Sequence, residues 1–150
     1  MPNDKLIDLK LSVAQFNELS EQRMPFAQQM GLQLQSIESS GVVMRAVYNE
    51  DFLRPGGTVS GPVMMALADA AMYALVLSRI GPVELAVTTN LSINFLSRPL
   101  PGDILAQARL LKLGKRLAVG DVTLYSDGGS VESPVAHVTA TYSIPPQESQ

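Results

Sequence analysis

The sequence predicts an α+β domain in which a curled antiparallel sheet wraps around one long apolar helix. Two observations predict it. The first is the helix itself: Val63 to Leu77 is rich in Ala, Leu and Met, all strong helix formers, and its apolar residues fall on every face. Such a helix is buried in the middle of a domain. The second is the order of elements, with two strand-like segments before the helix and about four after it. One all-apolar helix needs a large apolar surface around it, and a sheet curled about it supplies that surface.

The helix has clear ends. Ser60 is placed to cap it, Pro62 fits the first turn where its missing N–H is not needed, and Gly81-Pro82 stops it. It is short for a membrane span and carries Asp69 in its middle, so membrane insertion is not expected. The preceding stretch, Arg54-Pro55-Gly56-Gly57-Thr58-Val59-Ser60-Gly61-Pro62, is glycine-rich and is expected to be irregular.

Towards the N-terminus, Val13, Phe16 and Leu19 lie three apart behind a candidate cap at Ser12, which reads as a short amphipathic helix ended by Pro25. A further turn is expected over residues 26–30. Leu32 to Ile37 alternates apolar and polar residues, Val42 to Tyr48 forms a second strand, and Ser39-Ser40-Gly41 joins them as a hairpin. After the helix, strands are expected from Glu84 to Leu96, Ile104 to Leu113, Leu117 to Tyr125 and Pro134 to Ile144. Residues 145–150 read as a polar, mobile tail. The whole is expected to be a single domain over residues 1–150, with residues 1–25 its N-terminal helical part. The open edges of such a sheet favour pairing with a second copy.

Composition narrows the function. A net charge of -3 argues against nucleic-acid binding through a basic surface. With no cysteine and one histidine, His137, neither a cysteine nucleophile nor a histidine-rich metal site is available within one chain, and no metal or redox cofactor is expected. The first residues lack a charged-then-apolar export pattern, so a cytoplasmic location is expected.

Asp69 is the odd residue. A carboxylate on an apolar helix is costly unless it is paired, hydrogen-bonded or protonated. It either reaches solvent or a backbone group at an edge, or it belongs to a site. Ser60 does not fit the Gly-x-Ser-x-Gly elbow, because Gly57-Thr58-Val59-Ser60-Gly61 has the wrong spacing, and capping is its better role. No Gly-Lys-Ser/Thr follows the loop, so it is not a phosphate-binding Walker loop. Gly61 lies where a helix start offers free N–H groups and lets a ligand approach the backbone, an arrangement that can hold a developing oxyanion; the plainer role of these glycines is to make the turn. His137, among apolar neighbours in a late strand, reads as a core or edge residue. Lys112, Lys115 and Arg116 cluster at a hairpin, either as a solvated turn or as a contact for a phosphate-bearing ligand.

The order strand–strand–helix–four strands resembles the hotdog fold. Gly56-Gly57-Thr58-Val59-Ser60-Gly61-Pro62, with Leu67-Ala68-Asp69 at its fixed distance, resembles the loop and helix of acyl-CoA thioesterases of the phenylacetate-pathway type, within the 4-hydroxybenzoyl-CoA thioesterase superfamily. Ile93-Asn94-Phe95-Leu96-Ser97-Arg98-Pro99 resembles the family's strand after the helix, and the likeness covers most of the chain after about Gln28. The resemblance implies that Asp69 is the nucleophile or general base for hydrolysis. It implies that the Gly61 amide polarises the thioester carbonyl, and that Thr88 helps to orient water. Arg54, Gly57, Ser60, Tyr73, Lys115 and Arg116 are the candidate substrate contacts. The chain departs from the family in carrying Ser60 where such enzymes have His, Arg54 where they have Asn or Gln, and Pro62 in place of a glycine. The expected protein is therefore a homodimer, or a dimer of dimers, that hydrolyses an acyl-CoA; the alternative is an acyl-CoA or acyl-ligand binding module on the same fold. A hotdog dehydratase would need a catalytic histidine, and His137 is badly placed for one. Gly61 and Asp69 are eight residues apart, about 12 Å along a helix, so one carbonyl reaches both only if a second copy supplies one of them.

Overall fold

A computed structural model describes residues 8–147. The N-terminal part begins with α1 (Val13–Arg23) and α2 (Pro25–Gln29). Ser12 caps α1 reciprocally: its Oγ accepts the Gln15 N–H at 3.1 Å, and the Gln15 side chain accepts the Ser12 N–H at 2.9 Å. Pro25 both ends α1 and starts α2, so the turn expected over residues 26–30 is a short helix. The end of the expected mobile tail, residues 148–150, lies outside the described residues, as does the start of the N-terminal part, residues 1–7.

Six strands form one antiparallel sheet: β1 (Leu32–Glu38), β2 (Gly41–Ala46), β5 (Val87–Phe95), β6 (Ile104–Leu113), β7 (Leu117–Ser126) and β8 (Ala136–Ser143). Their spatial order is β1-β2-β6-β7-β8-β5. Between β2 and the helix, β3 (Leu53–Arg54) and β4 (Thr58–Val59) make a two-residue ladder across Gly56 and Gly57. The glycine-rich stretch is thus a tiny hairpin rather than irregular chain. Its tip is possible because Gly56 and Gly57 both have positive φ, at 99° and 78°. β2 stops two residues early, at Ala46, because the Tyr48 N–H is taken by the Asp103 side chain at 2.7 Å. The strands expected from Glu84 and Pro134 are likewise trimmed, to Val87 and Ala136.

The long helix α3 (Gly61–Ile80) lies on the concave face of this sheet, with Leu67, Ala68 and every residue from Ala74 to Leu77 fully buried. Small residues on the facing strands (Ala106, Ala108, Ala118 and Gly120) let the helix come close. At Gly120 an added Cβ would stand 2.8 Å from Met72 Sδ and 2.7 Å from the Arg109 carbonyl, so helix and strand are in direct contact there. α3 is long and apolar enough to cross a bilayer, but the sheet covers it, which makes it a core helix. This is the hotdog arrangement.

The two sheet edges differ. Asn17 of α1 grips the main chain of β1, accepting the Leu34 N–H and donating to the Leu34 carbonyl, both at 3.0 Å. Among the described residues β5 pairs only with β8, and none of them pairs with its other side.

Candidate functional site

Asp69 is half-buried in the middle of α3. Ala66, Asp69, Ala70 and Tyr73, spaced three and four apart, form one stripe of the helix and line an open cavity of about 470 Å³. Leu19, Phe26 and Ala27 of the N-terminal helices and Met24 between them line its other side, with Leu85 before β5 and Val87 and Thr88 at its start. The wall is mostly apolar, and its charged rim pair, Arg23 and Glu84, is joined at 3.1 Å. The Tyr73 hydroxyl donates to the Glu84 carbonyl at 2.9 Å. Burial, and then the Glu84 charge, raise its phenol above the ordinary range.

The carboxylate is held from two strands. Thr88 Oγ1 donates to Asp69 Oδ1 at 2.5 Å, and the Tyr142 hydroxyl donates to the same oxygen at 2.7 Å. Tyr142 also lies 3.0 Å from the Asp69 main-chain carbonyl. A β-bulge makes this possible. Leu91, Ile93 and Phe95 pair with Ala140, Val138 and Ala136, which point inward, so strict alternation would send Thr88 outward. The register shifts between Thr88 and Asn90, and Thr88 instead faces Tyr142 on the inner side. Burial chiefly, and the charge of Asp69 beside it, hold the Tyr142 phenol well above the usual range, so it stays a donor.

Gly61 opens onto a different cavity, of about 490 Å³, with Arg54, Thr58, Met64 and the segment Phe95 to Pro99. Ser60 stands at the N-cap of α3, but its side chain makes no capping hydrogen bond, contrary to the expectation. The second helical residue is Pro62, which has no N–H, and the N–H of the third, Val63, goes to the Ser60 carbonyl at 3.2 Å. Among the described residues no hydrogen bond occupies the Gly61 N–H. That amide and the positive end of α3 are available to an oxygen that gains negative charge.

Of the residues singled out from the sequence, the structure brings Asp69, Thr88 and Tyr73 together, and Arg54 with Gly61. Gly57, Ser60, Lys115 and Arg116 line neither cavity, and Arg116 donates through Nε to the Ile144 carbonyl at 3.0 Å. His137 is neither a core residue nor part of either cavity. It is half-exposed on the outer face of the sheet, its Nε2 3.1 Å from Asp121 Oδ2. Tyr142 was not singled out. A signal existed, because a tyrosine at an inward strand position needs a partner for its hydroxyl, and Asp69 is a carboxylate in the middle of the apolar core helix.

The sequence profile described as the thioesterase superfamily matches residues 56–133. A protein of Saccharolobus solfataricus named as an esterase is 34% identical over 131 residues, spanning 87% of this chain and 84% of the relative. A crystal structure from Silicibacter, described as that of a thioesterase, is 48% identical, superposes with a TM-score of 0.82, and covers 93% of this chain and 96% of its own. A mutant of the phenylacetic acid degradation protein PaaI from Thermus thermophilus is 28% identical with a TM-score of 0.68, over 79% of this chain and 97% of its own.

Proposed function

The chain belongs to the thioesterase superfamily, and on that premise we propose that it is a homodimeric acyl-CoA thioesterase whose carboxylate is Asp69 and whose oxyanion donor is the Gly61 amide. The observation that carries the reading is the setting of Asp69: a half-buried carboxylate, fixed by two hydroxyls, facing a largely apolar cavity on a helix that is otherwise core. Apolar walls suit an acyl group, and a fixed carboxylate suits the activation of water beside its carbonyl.

In the proposed step water gives a proton to Asp69 while its oxygen attacks the thioester carbonyl carbon. The carbonyl oxygen takes up the negative charge and accepts the Gly61 N–H. Collapse of the intermediate breaks the C–S bond; sulfur leaves with the electron pair, and the proton held by Asp69 passes to it. The products are a carboxylic acid and the CoA thiol. Direct attack by the carboxylate gives the same products through an anhydride that water then cleaves. Because Gly61 and Asp69 of one chain open onto separate cavities, a second copy completes each site.

The test is thiol release from a panel of acyl-CoAs with short, long, branched and aryl acyl groups, on protein whose mass in solution is measured by sedimentation. Turnover by a dimer or tetramer is expected. A folded dimer inactive on every substrate would favour the acyl-ligand binding module, and a monomer with full turnover would refute the shared site.

A further inference from the structure

The Asp69 carboxylate is bound asymmetrically. Both hydroxyl donors, Thr88 and Tyr142, go to Oδ1, and no hydrogen bond reaches Oδ2 among the described residues. No buried side-chain nitrogen or oxygen among them lacks a partner, so the partnerless Oδ2 is open to the cavity rather than enclosed. Resting on the thioesterase reading, we propose that Tyr142 is a positioning residue: with Thr88 it occupies Oδ1 of Asp69 and leaves Oδ2 as the oxygen that takes the proton from water or attacks the thioester.

Tyr142 lines the same cavity as Asp69 but is only 2% exposed, and its hydroxyl is directed at Asp69. Its hydroxyl lies against both the carboxylate oxygen and the main-chain carbonyl of the same residue, at 2.7 and 3.0 Å. Its one proton has both acceptors on Asp69, so the phenol is anchored to that residue. Tyr142 and Thr88 are direct cross-strand partners, so the two donors arrive as one rigid pair from β8 and β5. A carboxylate with one donor, or none, turns about its Cβ–Cγ bond and presents either oxygen in varying directions. Two donors on one oxygen remove that freedom and aim the other, the kind of preorganisation that raises turnover without tightening binding. The other ionisable groups of the cavity are Tyr73 on α3, Arg23 on α1 and Glu84 before β5. Tyr73 is held by the Glu84 carbonyl, and Arg23 and Glu84 are paired with each other.

The experiment is Tyr142→Phe, which keeps the ring and removes the hydroxyl. The expected result is a fall in kcat of about 10- to 100-fold with KM changed less than about twofold, the pattern of an interaction that serves the transition state. Thr88→Val should reproduce this fall in kcat at little-changed KM, and Thr88→Ser should restore turnover. In an Asp69→Asn background, adding Tyr142→Phe should change residual turnover less than about twofold. Unchanged kcat in Tyr142→Phe would overturn this inference alone, as would an equal loss with and without Asp69, which would mark Tyr142 as packing only. Absence of turnover in the wild type on every thioester would refute the thioesterase reading and this inference with it.

Discussion

Replacing Asp69 by Asn separates chemistry from stability because of how the carboxylate is held. The amide oxygen can take the place of Oδ1 and still accept the hydroxyls of Thr88 and Tyr142, which lie 2.5 and 2.7 Å away in the wild type. The new NH2 group then stands where Oδ2 faces the open cavity, so it meets water and no buried donor is stranded. Two hydrogen bonds to a charge become two to a neutral oxygen, a loss of about 1 kcal/mol each. Relief of the partly buried charge offsets some of it. The net cost is at most about 2 kcal/mol, or roughly 4–8 °C in melting temperature for a chain of this size. Turnover should fall at least about a hundredfold, equivalent to about 2.7 kcal/mol of barrier. Thermal melts and thiol-release kinetics on the same preparation test both parts. Wild-type turnover in the folded variant would remove Asp69 from the chemistry, and a variant that does not fold would show that the two hydroxyls require the charge.

Gly61→Ala should fold, since its backbone does not need glycine and the added Cβ would meet the Phe95 ring tip at 3.1 Å, a side-chain end that can give by a few tenths of an ångström. Its turnover should drop about 10²- to 10³-fold if the carbonyl can no longer reach the amide, and thiol-release kinetics at wild-type levels would exclude Gly61 as the oxyanion donor. Arg54→Asn should lower the preference for acyl groups ending in a carboxylate, because Arg54 opens onto the Gly61 cavity, and competition assays between acidic and neutral acyl-CoAs check this. On the outer sheet face, burial pushes the Asp121 carboxyl up, but hydrogen bonds from Arg109 and His137 outweigh burial and hold it below the usual range. A depressed folded value means that Asp121 stabilises fully above the unfolded carboxylate value, about 3.9, and that this stability is lost as pH falls through the folded value. Asp121→Asn should therefore melt lower than wild type at neutral pH, and the gap should close in melts taken progressively below about pH 4.

Much of this architecture was legible because its causes are local. Pro62 and the Gly81-Pro82 pair mark the ends of α3, and apolar residues on every face of that helix require a sheet around it. Asp69 stood out for the same reason, as a charge where the pattern forbids one. What escaped depends on tertiary contacts. No propensity reveals the bulge between Thr88 and Asn90, which turns Thr88 inward. Tyr142 fits the inward alternation of β8, so pattern alone makes it a core residue, and its hydroxyl acquires a partner only when α3 brings Asp69 to it. The Ser60 cap failed through a detail that is in the sequence: Pro62 at the second helical position removes one of the two amides such a cap can use. The β3–β4 ladder, two residues to a strand, is too short for any periodicity to mark.

The position of the two cavities along β5 supports the proposed shared site independently of the helix spacing. The Asp69 cavity takes Val87 and Thr88, at the start of β5, and the Gly61 cavity takes Phe95, at its end. Asn17 holds the β1 edge at Leu34, and among the described residues nothing pairs with the free edge of β5. If two β5 strands pair antiparallel, the start of each lies against the end of the other. Each Asp69 cavity then meets the Gly61 cavity of the second copy, at both ends of the seam, by one two-fold operation. A parallel pairing would set like cavities side by side and leave carboxylate and amide as far apart as they are in one chain. The buried residues of α3 pack too tightly for the helix to bend and close that distance alone. Within this reading, the open edge strand that would otherwise be a liability is what unites the carboxylate with the oxyanion donor.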